Sequence, residues 1–528
     1  MEYAGQQRSA LRVGAGLGTV LSCVLAVVPA FPAQARNILL LIADDYGVDS
    51  SAIYNSTNFG ASLPYTPNLA ALAAGGVVFG HAYANPVCSP SRACMVTGRH
   101  AFRTGIGDAI LDQTSPSLQA AEFTLPEAFA ANGGLGYQLA QFGKWHLGEQ
   151  AATPNTIGGW PHYAGCVTHA VPSYTNWPKT VNGVVSPGYT PYATSDVVND
   201  AILWIQGRGA QPWFAWVAFN SPHIPLHKPP TNLCPDYAWI PGTPADIAAN
   251  PRRYYEAMVQ AMDTEIGRLL AAVDHTNADI IFVSDNGTPR RVIQPPFPQS
   301  HAKDSLYEGG IHVPLIVSGP DVVSPGRTND TPVHVADLFA TILELAGIDV
   351  ATTLGTNAVV DSRSFVSMLQ SDAQESRTVY SELFGADTTS GGQALRGAPF
   401  KLIDFQDDPE EFYDLESDPY EGTNLLDGVL NATQQAHYYD LRRKLGAYQH
   451  DLTASHITNC AVAGAGISVN ATWDTNLTYT LWRAQELAEL AWTPVSNMGV
   501  VIDGASITLI DSQAPSAGAF YQLTAVPP

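Results

Sequence analysis

The run Ile38-Leu39-Leu40-Leu41-Ile42-Ala43 contains no polar position and stops at Asp44-Asp45. An unbroken apolar run of this length reads as a strand buried on both faces of a parallel sheet, with the two carboxylates at its C-terminal end. Thr66-Pro67-Asn68-Leu69 then opens a helix with proline near the first turn, Gly75-Gly76 stops it, and Val77-Val78-Phe79 is the next strand. The rhythm returns as the strand Trp213 to Phe219, a helix around Tyr254 to Val273, the strand Ile280 to Val283 and the strand Val313 to Val317. Strands alternating with helices predict a large α/β domain with a mostly parallel central sheet flanked by helices.

From about Arg377 the pattern changes to the short segments Thr378 to Phe384, Phe400 to Phe405 and Glu411 to Leu415, followed by a helix near Thr433 to Gln449. That pattern predicts a smaller antiparallel sheet with one helix packed on it. After His456 the chain turns to Gly, Ala, Thr and Asn with alternating apolar positions, as in Leu477 to Trp482, which predicts an extra small β module. There Tyr479, Trp482 and Trp492 suit either core packing or an aromatic glycan platform. The expected division is 1–35 as a signal peptide, 36–376 as the catalytic α/β domain, 377–455 as the antiparallel subdomain and 456–528 as the β module.

The division begins at 36 because Arg8 and Arg12 precede an apolar stretch from about Leu17 to Val28, and Ala33-Gln34-Ala35 is a small-x-small cleavage pattern. Export to a periplasm or the medium follows, and no later segment is apolar for long enough to span a bilayer. Removal of Cys23 leaves Cys88, Cys94, Cys166, Cys234 and Cys460, an odd number for an oxidising compartment, so one has another fate. The other four can pair in three ways; Cys166 with Cys234 is one expectation, free buried thiols the alternative.

The 528 residues are 45% hydrophobic and 14% charged, which excludes a disordered chain. A formal charge of -23 repels nucleic acid and anionic membranes. It would repel an anionic substrate as well, so a site for one needs local cations.

Asp44, Asp45, His223, Asp285 and Asn286 all follow predicted strands, and in open α/β sheets ligands sit beyond the C-terminal strand ends. Neighbouring carboxylates such as Asp44-Asp45 repel each other unless a cation or a proton lies between them. With Ser284-Asp285-Asn286-Gly287 at another strand end they form an all-oxygen set suited to calcium or magnesium. Cys88 opens a predicted helix, where the positive field of the N-terminus favours a developing anion.

The segment Cys88-Ser89-Pro90-Ser91-Arg92, continuing to Thr97-Gly98-Arg99, resembles the sulfatase signature. In that family a Cys-x-Pro-x-Arg core marks the cysteine for oxidation to formylglycine. One hydroxyl of the hydrated aldehyde can attack sulfur while the other later loses its proton to expel sulfate, so turnover needs no water attack on the sulfated enzyme. Gly143-Lys144-Trp145-His146-Leu147-Gly148 is similar to the second signature block, and strand alternation would put Lys144 and His146 on one side of an extended segment. Ser221-Pro222-His223-Ile224-Pro225 resembles the family's His-x-Pro segment, and Lys303 stands before a Tyr307-Glu308-Gly309-Gly310 turn that the family shares. Similarity runs from Asn37 to Asn424; residues 158–188 and the tail after His456 carry no family pattern.

The resemblance implies an alkaline phosphatase-like fold and an arylsulfatase-like enzyme that hydrolyses an aryl or carbohydrate sulfate monoester. It implies one Ca2+ per chain (Mg2+ less favoured) held by Asp44, Asp45, modified Cys88, Asp285 and Asn286, with asparagine where two-zinc relatives in the superfamily need histidine. It makes Cys88 the nucleophile, Lys144 a group that binds sulfate and stabilises the hydrate, Lys303 a group on the sulfate and the leaving oxygen, His146 the base on the hydrate and His223 the partner or proton donor of the leaving oxygen. Arg92 joins the lysines in the local positive field. A formylglycine-generating enzyme is the implied maturation partner. The rival readings are a formylglycine-dependent phosphonate monoester or phosphodiester hydrolase and an inactive sulfatase-like binding protein.

Overall fold

The computed structural model describes residues 36–355, 359–385 and 391–449, together with strand segments between 457 and 526. The expected signal peptide, residues 1–35, and the side chains of Tyr479, Trp482 and Trp492 lie outside the described residues.

Ten strands form the central sheet: β1 (Asn37–Ala43), β2 (Gly76–Phe79), β3 (Gln138–Gly143), β4 (Tyr163–Gly165), β5 (Trp177–Val181), β6 (Val184–Tyr189), β7 (Trp213–Ala218), β8 (Ala278–Ser284), β9 (Leu315–Ser318) and β10 (Arg327–Asn329). Their spatial order is β10-β2-β9-β8-β1-β7-β3-β4-β5-β6. The centre, β8-β1-β7-β3-β4, is parallel as the apolar runs predict. The flanks make the whole sheet mixed: β9 is antiparallel to both β8 and β2, and β5 is antiparallel to β4 and β6. The cause lies in the connections. The chain between Ser284 and Leu315 contains no helix long enough to carry it back across the sheet, only the short Gln299–His301 and Glu308–Ile311 segments, and it re-enters from the same end, which makes β9 antiparallel to β8.

Successive residues of β1 point to opposite faces. Ile38, Leu40 and Ile42 enter one apolar cluster, and Leu39, Leu41 and Ala43 enter the other. Helices α1 (Pro67–Ala74), α2 (Cys88–Thr97), α3 (Ala193–Gln206), α4 (Pro251–Leu270) and α5 (Asp337–Leu345) cover the two faces, α2 and α5 on the first and α1, α3 and α4 on the second. This double burial explains why β1 lacks any polar alternation.

A second, antiparallel sheet contains β11 (Thr378–Leu383), β12 (Gly392–Gly397), β13 (Phe400–Phe405) and β14 (Glu411–Asp414) in sequence order, and α6 (Ala432–Gln449) packs on it through Leu441 and Leu445. The strands after 456 form one four-stranded and one three-stranded antiparallel sheet. Among the described residues no helix is long and apolar enough to cross a membrane.

The pairing of Cys166 with Cys234 is not found. Both are free thiols, as are Cys88 and Cys94. Cys166 faces its own turn at Thr168 and Ala170, and Cys234 faces the carbonyl groups of Pro229 and Pro230.

Candidate active site

Parallel register brings the polar strand ends to one level. Ala43 lies beside Ser284, Ile42 beside Ala218, and Ala218 beside Gly143. The residues that follow, Asp44-Asp45, Asp285-Asn286, the Phe219–His223 turn and Lys144, therefore emerge together. Main-chain bonds tie the ends: Asp44 N donates to Ser221 O (3.1 Å), Asp285 N to Ala43 O (3.1 Å) and Lys144 N to Ala218 O (2.9 Å). Gly143 has φ 88°, and a Cβ there would lie 1.8 Å from Ala218 O, so glycine is what lets β3 end against β7.

All ten residues singled out from the sequence converge here, and apart from partly covered Lys303 each is buried. Cys88 is the first residue of α2, 2% exposed, and its Sγ lies 3.5 Å from Asp44 Oδ1 and from both Lys144 Nζ and Lys303 Nζ. Lys144 Nζ contacts Asp44 Oδ2 and Lys303 Nζ contacts Asp45 Oδ1, each at 2.6 Å. Burial alone would lower both lysines, but Asp44 beside Lys144 and Asp45 beside Lys303 more than offset it, so both stay above the ordinary lysine value. Burial likewise opposes ionisation of Asp45, yet Lys303 and Lys144, with the Asn286 amide, hold it below the usual carboxylate range.

Cys88 itself behaves differently from the sequence expectation. Burial pushes its thiol up to about 12 despite the two ammonium groups and the helix N-terminus, so unmodified it remains a neutral thiol at pH 7. Desolvation outweighs the favourable field.

Arg92 is turned to the rear of the site. Its Nε and Nη2 donate to Asp285 Oδ2 at 3.0 and 2.7 Å, and Nη1 donates to Lys144 O at 3.2 Å. It therefore orients Asp285, whose other oxygen accepts from Asp45 N at 3.2 Å. Asp45 adopts φ 72°, a left-handed conformation that aspartate tolerates better than most residues.

Lys144 and His146 do not share an extended segment. β3 ends at Gly143, and His146 has φ 59°. A hydrogen bond from His146 Nε2 to Ile110 O (2.9 Å) places the ring proton on Nε2 and leaves Nδ1 an acceptor, buried and unpartnered. In His223, Nδ1 donates to Ile224 O (2.9 Å), so Nε2, 3.8 Å from Asp45 Oδ2, is the acceptor. Burial lowers His223 to about 3, which keeps the ring neutral. His227, by contrast, is a packing neighbour, stacked on Tyr174 and bonded to Tyr192 OH.

The residues form a candidate metal site. A Cys88 Sγ, carboxylate oxygens of Asp44 and Asp45 and a His223 ring nitrogen lie within 4.8 Å of one another. Asn286 donates its amide to Asp45 Oδ1 (2.7 Å), yet its own Oδ1 is buried with no partner, which costs free energy unless a cation completes it. His223 enters this group by geometry, although the sequence expectation assigned it only to the leaving oxygen.

Residues 158–188, which carry no family pattern, also shape the site. Trp145 N and His146 N donate to Cys166 O and Val167 O at 2.9 Å each, and Tyr174 OH donates to Asn220 O and His223 O. Ser89 adds a clamp, donating to His146 O (3.0 Å) and accepting from Ile110 N (3.1 Å). Main-chain clamps of this kind leave no motif.

Comparison with known proteins agrees with this geometry. The sulfatase family model matches residues 36–348, and the model for the N-sulphoglucosamine sulphohydrolase C-terminal region matches 300–450. A sulfatase of Formosa agariphila is 27% identical over 82% of this chain and 90% of its own length. The N-acetylgalactosamine-6-sulfatase of Sus scrofa is 28% identical over 60% of this chain, which spans 63% of that protein. Among solved structures, Ps i-CgsB in complex with k-i-k-neocarrahexaose superposes with a TM-score of 0.65 at 24% identity, covering 79% of this chain and 93% of that one, and so shares the fold. With more than half of its length matched by the family model, this chain belongs to the sulfatase family and is an enzyme that hydrolyses sulfate esters.

Proposed function

We propose that this sulfatase cleaves an aryl or carbohydrate sulfate monoester with formylglycine made from Cys88 and one divalent cation, calcium before magnesium. The observation that carries the reading is Cys88 Sγ held 3.5 Å from Lys144 Nζ, Lys303 Nζ and Asp44 Oδ1, beside the orphaned Asn286 Oδ1. Asp44, Asp45, Asp285 and Asn286, with the modified residue 88, would hold the cation, and His223 Nε2 stands close enough to join them. When bound, the cation would screen sulfate charge and the aldehyde hydrate would supply the attacking hydroxyl.

The chain's own groups supply the rest. Lys144 and Lys303 bind the sulfate oxygens and give an acidic protein the local positive field it needs. His146 Nδ1, an acceptor without a partner, would accept a proton from a hydroxyl on residue 88. Lys303 is the better proton donor to the leaving oxygen, because neutral His223 offers only an acceptor at Nε2. Arg92 positions Asp285.

Since Cys88 and Arg92 are 2% and 0% exposed, a formylglycine-generating enzyme would have to reach this segment before it folds. Export behind the 1–35 segment is part of the same proposal. A carbohydrate substrate is supported by the names of the relatives, an N-acetylgalactosamine-6-sulfatase and a structure solved with k-i-k-neocarrahexaose.

The test is peptide mass spectrometry across Cys88 paired with an assay on an aryl sulfate, with and without chelator. Formylglycine with chelator-sensitive sulfate release is expected. Turnover of phosphate diesters or phosphonates but not of sulfates would overturn it.

A further inference from the structure

Three histidines stand near Cys88, and two of them spend a ring nitrogen on a main-chain carbonyl, His146 on Ile110 and His223 on Ile224. The third, His169, is exposed, and its ring has no hydrogen-bond partner among the described residues. Its ring centroid lies 6.1 Å from that of His146, and the charges that reach it are those of Lys144, Asp44 and Lys303, the groups that surround Cys88 Sγ. It therefore stands on the solvent side of the reacting centre, where a bound ester would carry its alcohol half.

The turn that carries His169 is held in place. It is fastened to the catalytic segment by the bonds from Trp145 and His146 to Cys166 and Val167. Within the turn Thr168 Oγ1 donates to Ala170 O (3.2 Å), and Cys166 Sγ contacts Thr168 and Ala170. An exposed side chain on a fastened turn, with two unspent ring nitrogens, is suited to ligand recognition more than to packing.

We infer that His169 is a specificity-determining residue that hydrogen-bonds hydroxyl groups of the alcohol half, and that this alcohol is a sugar. The inference rests on the sulfate-ester reading above. Partial burial and the ammonium of Lys144 keep the imidazole below the ordinary histidine value, so at neutral pH it offers one donor and one acceptor. Ring hydroxyls of a sugar can use both; a simple phenol has no hydroxyl left once its oxygen carries the sulfate.

The experiment uses the full chain with residue 88 shown by mass spectrometry to be converted, and compares a hexosamine sulfate ester with nitrophenyl sulfate. His169→Ala should raise KM for the sugar ester about tenfold, the loss of one or two neutral hydrogen bonds, with a much smaller change in kcat. The ratio of kcat/KM for sugar over aryl ester should fall by a similar factor. His169→Gln, which keeps a donor and an acceptor, should restore most of it. Equal losses on both esters, a loss in kcat alone, or no change would overturn the inference while leaving the sulfate-ester reading intact. If the unsubstituted enzyme releases sulfate from neither ester, that reading fails and the inference falls with it.

Discussion

At the scale of single residues, the site is a buried cluster in which no charge stands alone. Three carboxylates, Asp44, Asp45 and Asp285, meet three cations, Lys144, Lys303 and Arg92, in direct ion pairs. Breaking one buried partner leaves an uncompensated charge, so charge-removing variants confuse folding with catalysis. Neutral changes are cleaner. Cys88→Ala should abolish sulfate release while costing only about 1 kcal/mol of stability, since a small buried side chain is shortened by one atom; assay and thermal melt together check this. Asn286→Ala removes the orphaned Oδ1 and should raise the calcium concentration for half-maximal thermal stabilisation about tenfold to a hundredfold. That shift can be read from melting curves without any activity measurement.

At the scale of elements, strand ends and turns decide where these side chains go. β3 can stop against β7 only because residue 143 lacks a Cβ, so Gly143→Ala should destabilise the protein by roughly 3 kcal/mol or more, seen as a lower denaturation midpoint. The same logic applies to the loop carrying Lys303: a Cβ on Gly287 would lie 2.0 Å from Gly309 O, and one on Gly310 would lie 2.1 Å from Ser305 O. The Tyr307-Glu308-Gly309-Gly310 turn is thus architectural. Its glycines permit close backbone approach, and Glu308 is anchored by Lys401 of β13 at 3.0 Å.

At the scale of the whole molecule, the second sheet is joined to the catalytic layers by buried polar links. Lys401 lies between Glu308 and Glu421, and Glu382 of β11 accepts from Phe102 N (2.7 Å) and Tyr380 OH (3.1 Å) while its own N donates to Asn85 Oδ1 (3.0 Å). Burial raises Glu382 from 4.5 to about 7. The folded protein therefore keeps a proton that the unfolded chain releases, and stability falls as pH rises through that window, then levels off. The contribution is on the order of 3 kcal/mol. Glu382→Gln should flatten this part of the profile, so its melting temperature should change less than that of the unsubstituted protein between pH 5 and pH 8.

Much of this molecule was legible in the chain. The run 38–43, the Gly75-Gly76 stop and the helix and strand between 254 and 283 reappear with shifts of a few residues, because hydrophobic period and glycine chemistry act locally. The signature segments and the polar strand ends together named the ten residues that cluster, since both depend on residue type and short spacing. Tertiary structure alone decided the remainder. It made β9 antiparallel through an unwound connection, left Cys166 and Cys234 as free thiols, turned Arg92 behind the site and gave His146 its left-handed backbone. It set the Cys88 thiol by burial rather than by its helix, and it brought His169 and Tyr174 to a site that their own segment does not announce. Desolvation, register and main-chain clamps are sums over distant parts of the chain, and no local pattern records them.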